Sequence, residues 1–429
     1  MKKLHIFLIL LLLLLPFNTA HASGFAIYTQ GASSLAQGAA TIAHIDDPST
    51  QFFNPALINE LEGTHLELGT TLIIPDRKFH SDVTDNSFDT EDQFFFPSTL
   101  FVTHNFNDKI SIGLGICSPF GLSTDWPDDW EGRYIATTSE MTTYSVNPIL
   151  SYKLLPNLNV SAGVEYLYLD ASLEKKFMLP DPSTGSLFPD ATQSFEGEGE
   201  GFGYNLGLLF SPHADISIGA SYRSEIKVDI DGQADFYLPK KSKTIYESYF
   251  PNTGADTHID LPQRVHLGIC YKGFDSITIE GAVRWEGWSS FQKLAIDLNQ
   301  PVSPLQETTF VQQRDWNDTW SFNIGMKYAL NPKISLMAGY LYQNNPIPDH
   351  TFEASIPDSN GHLCTFGTRY TWNSWRLTLA LGFQHQESRH KYNSIDDFPN
   401  DSSFNPHTSA NGKYESNIFM SGVSIHYIF

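Results

Sequence analysis

Polar and apolar residues alternate one by one through most of the chain beyond Thr64. Val160, Ala162, Val164, Tyr166 and Tyr168 are set against Ser161, Gly163 and Glu165, and Ile216, Ile218, Ala220 and Tyr222 against Ser217, Gly219, Ser221 and Arg223. Ile277, Ile279, Val283 and Trp285 alternate with Thr278, Glu280, Arg284 and Glu286 in the same way, as do Trp320, Phe322, Ile324, Met326 and Tyr328 with Ser321, Asn323, Gly325 and Lys327. A period of two places the two sets on opposite faces of a strand. Hydroxyls, glycines and charges fill the second face of nearly every segment, which predicts an all-β, antiparallel transmembrane barrel with the first set against lipid and the second toward the lumen.

The segments number about fourteen, near 64–77, 93–106, 109–122, 140–154, 158–170, 201–212, 215–230, 259–272, 276–294, 317–330, 333–344, 361–372, 375–387 and 413–429. Short turns such as Asn107-Asp108, Pro156-Asn157, Gly273-Phe274 and Asn331-Pro332 alternate with long, acidic or Pro-rich connections. That asymmetry is expected of a barrel with tight periplasmic turns and long outer loops. Tyr166, Tyr168, Trp285, Trp288, Tyr340, Tyr342, Tyr370 and Trp372 cluster near strand ends, where amphipathic rings suit a membrane interface.

The N-terminus sets the compartment. Lys2 and Lys3 precede the run Leu4 to Leu15, and Ala20-His21-Ala22 follows as a cleavage site, so residues 1–22 read as a signal peptide. The run of 12 residues is shorter than the ~20 a spanning helix needs. Residues 23–63 lack alternation, carry little charge before Asp46 and are rich in Gly, Ala, Ser and Gln; a compact plug inside the barrel, residues 64–429, fits them better than a solvated tail.

Composition sharpens this reading. Charged residues make up 17% of the chain and aromatics 14%, against the ~25% charged of soluble domains. The formal charge of −22, with acidic loops such as Asp125 to Glu131 and Asp396 to Asp401, argues against a nucleic-acid partner; solvation, or divalent cations at the cell surface, accounts for the acid. Cys117, Cys270 and Cys364 show no CxxC pairing and read as buried wall or lumen thiols, and no metal or cofactor motif accompanies them.

Candidate functional residues fall into four groups. Asn54-Pro55-Ala56 closes the plug. In the third strand, Cys117-Ser118-Pro119-Phe120-Gly121 should lose pairing, since Pro119 has no N–H and Gly121 is permissive. Two long connections, 171–200 and 231–258, hold Phe177, Met178, Leu179, Leu187 and Phe188, and Phe236, Tyr237, Leu238, Tyr246, Tyr249 and Phe250; such apolar clusters suit capture of a hydrophobic ligand or packing of the loops on one another. Arg223, Glu225, Arg284 and Glu286, with Glu165, Lys227 and Glu280, form an expected ion-pair network in the lumen. An enzyme finds little support, because no nucleophile motif such as G-x-S-x-G is present; a surface adhesin leaves the plug unexplained.

The start Ser23-Gly24-Phe25, Asn54-Pro55-Ala56, Ser118-Pro119-Phe120-Gly121-Leu122-Ser123-Thr124, Tyr222 to Lys227, Leu261-Pro262, Trp288 to Phe291 and Ser355-Ile356-Pro357-Asp358 resemble, in order, the FadL/TodX family of outer-membrane fatty acid and hydrocarbon transport proteins. The resemblance implies a 14-stranded monomeric barrel embedded in outer-membrane lipid and lipopolysaccharide of a Gram-negative bacterium. It further implies an N-terminal hatch and passive import of a hydrophobic small molecule: capture at outer loops, hatch rearrangement and lateral exit at the third-strand kink. The family's basic pocket positions fall on Asp170 and Asn317, neither basic, which favours a neutral ligand or a carboxylate partner elsewhere.

Overall fold

The computed structural model describes residues 24–395 and 410–429; the leader read at 1–22, Ser23 and the acidic stretch Asp396 to Asp401 lie outside them. The alternation becomes a closed antiparallel cylinder of fourteen strands. They are β1 (Thr64–Ser81), β2 (Ser98–Asn107), β3 (Ile110–Cys117, resumed as Gly121–Asp125), β4 (Thr138–Leu155), β5 (Leu158–Phe177), β6 (Ala191–His213) and β7 (Ile216–Arg223, resumed as Ile226–Tyr237). There follow β8 (Thr253–Leu261, resumed as Arg264–Phe274), β9 (Ile277–Glu286, resumed as Lys293–Val302), β10 (Glu307–Gln313, resumed as Thr319–Asn331), β11 (Ile334–Gln343), β12 (Gly361–Trp372), β13 (Trp375–Lys391) and β14 (Gly412–Ile428). Closure comes from β1 pairing with β14, from His65 opposite Ile428 to Ser81 opposite Gly412. No described helix is long and apolar enough to cross a membrane.

The expected faces hold where strands are continuous. Val164 is 61% exposed on the lipid side, while its neighbour Glu165 is 1% exposed in the lumen. Toward the long-loop rim, strands run further than the apolar pattern: β5 and β6 stay paired to Phe177 opposite Ala191. Glu196-Gly197-Glu198-Gly199-Glu200 still alternates there, but with carboxylates outside and no apolar set to mark the strand.

Five strands break, and in all but β9 the break switches which parity faces the lumen. Pro119 and Pro262 sit in two of them, where a missing N–H ends the ladder. At the β7 break, Arg223 points inward, yet Ile226, Val228 and Ile230 are the buried set beyond it. Glu225 and Lys227, expected in the lumen, therefore stand on the outer side, where they pair at 3.7 Å with the lysine 74% exposed. Cys364 departs likewise from its expected burial: Leu363 and Thr365 take the inner face of β12 and leave the thiol exposed, whereas Cys117 and Cys270 are buried.

Residues 24–63 fill the lumen almost wholly buried, with a short helix α1 (Ala32–Ala36) and two 3-10 turns, Pro48–Phe52 and Pro55–Glu60. Above them the β11–β12 connection folds inward, burying Ile347, Phe352, Ala354 and Ile356 against Phe25, Trp126 and Trp288.

Candidate functional site

The plug touches the wall so closely that inward wall positions must be glycine. A Cβ on Gly219 would lie 2.0 Å from the Ile42 carbonyl oxygen, and one on Gly339 2.2 Å from the Gln37 carbonyl carbon. Asn54 caps the Pro55–Glu60 turn by accepting from Ala56 N–H, and its Nδ2 donates to the carbonyls of Ile42 at 2.8 Å and Leu208 at 2.9 Å. One amide thus ties the NPA turn, the plug and β6, just where the chain heads into β1.

Buried charges supply the rest of the anchorage. Arg369 of β12 donates to Asp46 at 2.7 Å and Asp47 at 2.5 Å, and Lys327 of β10 also pairs with Asp46. Arg223 bridges Glu165 at 2.6 Å and the Phe52 carbonyl at 2.8 Å. Glu280 accepts from the N–H groups of Ile42 and Ala43, and its second oxygen meets His44 Nδ1 at 2.6 Å. Burial alone lowers the His44 pKa, but the Glu280 charge outweighs it and carries the ring up to about 10, an imidazolium in an ion pair. Cys270 completes a trio with these two whose ligand atoms lie within 4.8 Å of one another; because Glu280 already spends both oxygens on the plug, the trio acts as a lock between plug and wall.

The first residues of the plug are built differently. Gly24 to Gln30 form an extended arm that lies along the broken third strand. Ile27 N–H donates to the Pro119 carbonyl at 3.0 Å, Gly121 N–H to the Phe25 carbonyl at 2.9 Å, and Gln30 Nε2 to the Ser118 carbonyl at 2.6 Å. Gly24 N–H donates to Asp358 Oδ2 at 3.0 Å. The strand breaks between Cys117 and Gly121, and the backbone there pairs with the arm rather than with β2. Among the described residues, the one backbone bond from Gly121–Asp125 toward β1 and β2 is Glu91 N–H to the Asp125 carbonyl, 2.9 Å.

A cavity of about 590 Å³ occupies this gap. Its inner wall includes Phe25, Tyr28, Ile356, Leu363 and Met420, and its outer part Phe94, Phe96 and Tyr144. Phe94, Phe96 and Tyr144 are exposed. The cavity is thus lined both from the lumen and by residues at the outer surface of the barrel.

The apolar residues of the two long connections mostly pack together. Phe177, Phe236 and Phe250 pack edge-on or tilted with ring centroids 5.0–6.2 Å apart, and Met178, Leu179 and Tyr246 are buried; Phe188 and Leu238 are half-buried against them. Phe177, Phe236 and Tyr237 belong to strands rather than loops, and Leu187, Tyr237 and Tyr249 keep exposed apolar surface. Of the expected lumen network, Arg223, Arg284 and Glu286 are buried in place, and Asp170 and Asn317 are exposed. Lys327 was placed in the lumen by its parity, which sets it opposite Thr278, and Asp358 was named in a motif, but no plug contact was read for either, nor for Asp46, Asp47 or Arg369.

Lipid on the outside and a stoppered lumen define a transport barrel of the Gram-negative outer membrane rather than an open pore. The chain belongs to the family described as outer membrane protein transport protein (OMPP1/FadL/TodX), whose model matches residues 14–429; this is a family of transporters, not enzymes. It is 24% identical over 389 residues to a long-chain fatty acid transport protein of Escherichia coli O6:H1, covering 82% of this chain and 84% of the relative. Among solved structures, a Pseudomonas aeruginosa FadL homologue shares the fold with a TM-score of 0.80 at 19% identity, over 95% of this chain and all of that one. The Ralstonia pickettii toluene transporter TbuX follows at 0.71 and 17%, over 93% of this chain and 98% of that one.

Proposed function

We propose that this barrel imports a hydrophobic small molecule passively, taking it from the outer rim into the wall cavity and releasing it sideways into the membrane. The carrying observation is the cavity lined by Phe25 and Tyr28 in the lumen and by Phe94, Phe96 and Tyr144 at the outer surface of the barrel, at the unpaired edge of β3. Relatives named for long-chain fatty acids and for toluene bracket the cargo class.

Energetics favour the side route. Each CH₂ moved from an apolar site into water costs about 0.8 kcal/mol, so a chain of about twelve methylenes faces roughly 10 kcal/mol on release into the periplasm. A lateral exit avoids that cost, whereas the way straight down is barred by the Asp46, Asp47 and Arg223 contacts. Withdrawal of the Gly24 to Gln30 arm, which lines the cavity, is the hatch rearrangement this route needs. Leu187, Tyr237 and Tyr249 supply the apolar surface for first capture. As in the sequence reading, the barrel acts as a monomer.

Filling the gap tests it. The Cβ of Gly121→Trp points toward Ile27 at 2.8 Å, so the indole occupies the channel. Cells relying on the variant should lose uptake of labelled palmitate and toluene while capture at the outer loops persists; wild-type uptake through a filled gap sinks the lateral route.

A further inference from the structure

A patch of polar side chains on the inner faces of β8, β9 and β10 has no task in this scheme. The register sets Arg264 opposite Glu286 and Glu286 opposite Thr319; two residues further on, His266 faces Arg284 and Arg284 faces Ser321. Directly opposed residues point the same way, so the six form one contiguous block, none of them more than 2% exposed.

Most of their polar atoms lack a partner among the described residues. Arg264 Nε and Nη1, His266 Nε2, Arg284 Nε, Nη1 and Nη2, Glu286 Oε1, Thr319 Oγ1 and Ser321 Oγ make no hydrogen bond. Neighbouring Arg223 shows the contrast, since Glu165 and the Phe52 carbonyl satisfy it. With that pair closed, the block holds two guanidinium groups against the single carboxylate of Glu286, which already accepts from the Tyr28 hydroxyl. Buried donors in excess, with one positive charge over, call for an anion that offers several acceptor oxygens.

The block adjoins the wall cavity. Arg284 Cζ lies 3.6 Å from the centre of the Tyr28 ring and Arg264 Cζ 4.7 Å from that of Phe120. Both rings line the cavity, so each guanidinium stands one ring's thickness behind its wall. Tyr28 belongs to the arm, and turning it aside brings Arg284 into the chamber.

We propose that Arg264 and Arg284 form a headgroup subsite that takes the carboxylate of a long-chain monoanionic amphiphile, whose chain fills the Phe25 to Phe96 cavity. This rests on the transport reading above. The carboxylate accepts from both guanidinium groups and from the Thr319 and Ser321 hydroxyls, and it replaces Tyr28 over Arg284. Because the arm that carries Tyr28 also pairs Pro119 and Gly121, seating the head loosens the contact that covers the opening.

Binding of palmitate and of its uncharged methyl ester to the purified barrel in lipid nanodiscs separates the two readings. Arg264→Met and Arg284→Met should each weaken palmitate about tenfold or more and the ester less than about twofold, with Arg284→Lys recovering part of the loss. Variants that keep the heat-modifiable gel migration of a folded barrel yet bind palmitate like wild type overturn the subsite, leaving a small adventitious anion or water there. A wild-type barrel that binds the ester but not the acid also overturns it, while one that binds neither overturns the transport reading itself. If the variants do not fold, carboxyl-labelled palmitate on the wild type decides: by NMR its carboxylate should stay ionised to lower pH when bound than when free, and a bound acid that titrates at the free value or above refutes the proposal.

Discussion

The plug consists of two regions held in opposite ways. From His44 to Asn54 it is fastened by buried ion pairs and amide bonds to β6, β7, β9, β10 and β12, with glycine-lined contact along the wall. From Gly24 to Gln30 it rests on backbone and side-chain hydrogen bonds, among them those to the broken strand, Asp358 and Glu286, and on ring contacts of Phe25 and Tyr28, with no ion pair among the described residues. Breaking a buried charge pair costs several kcal/mol and leaves a stranded charge, whereas a backbone bond at an opening exchanges with other partners at about 1 kcal/mol. A single segment thus combines a tightly anchored part with a weakly held one, and the proposed route needs only the weakly held part to move.

Arg369→Met should disturb this contrast most. It strands Asp47 and half of the Asp46 pairing in a dry interior, a cost of about 3–5 kcal/mol; proteolysis of residues 40–60 in an otherwise closed barrel is the expected readout. A plug as resistant as wild type would show that charge pairing is not what holds it. Asn54→Leu comes next, removing the donors to Ile42 and Leu208 at about 2–4 kcal/mol. It should lower uptake while the barrel still migrates as a heat-resistant band, and unchanged uptake would separate transport from this anchor.

The smallest effect is one of pH on the arm. Burial raises the Asp358 pKa from its ordinary 3.8 to about 6, while the N–H that Gly24 of the docked arm donates to it pulls the other way. The arm thus favours the ionised carboxylate: this contact is fully present above pH 6 and is lost as pH falls through 6. Corrected hydrogen exchange of the Gly24 to Gln30 peptide should quicken on acidification. Asp358→Asn should make it quicker and nearly independent of pH in this range, and a variant that keeps the wild-type pH dependence would assign the effect to another group.

How much of this was readable in the sequence follows from locality. Strand number, faces and the loss of pairing at Pro119 rest on neighbours in the chain, so alternation and one proline reveal them. Pairing across the lumen does not: nothing near Asp46 announces Arg369, and only the closed register brings them together. Glu225 shows the failure in one residue, since the register against β6 slips by one between the pairs Arg223–Asn205 and Asp229–Glu200, which turns the parity of everything beyond. For the apolar residues of 171–200 the sequence left capture and mutual packing both open; carboxylate and glycine alternation extends β5 and β6, and Phe177 meets Phe236 and Phe250.

The seam between β1 and β14 carries a consequence for how the molecule is made. The strands that join there, paired from His65–Ile428 to Ser81–Gly412, lie almost a full chain length apart in sequence. Every other neighbouring pair in the wall is consecutive, so the ring-closing step carries the greatest loop-closure entropy and comes last. Until then the sheet is an open trough, and the segment before β1 has free access to its concave side. The stopper is therefore wrapped rather than inserted: its charges meet Arg369 and Lys327 as the trough curls, and those encounters can guide the final seam into register.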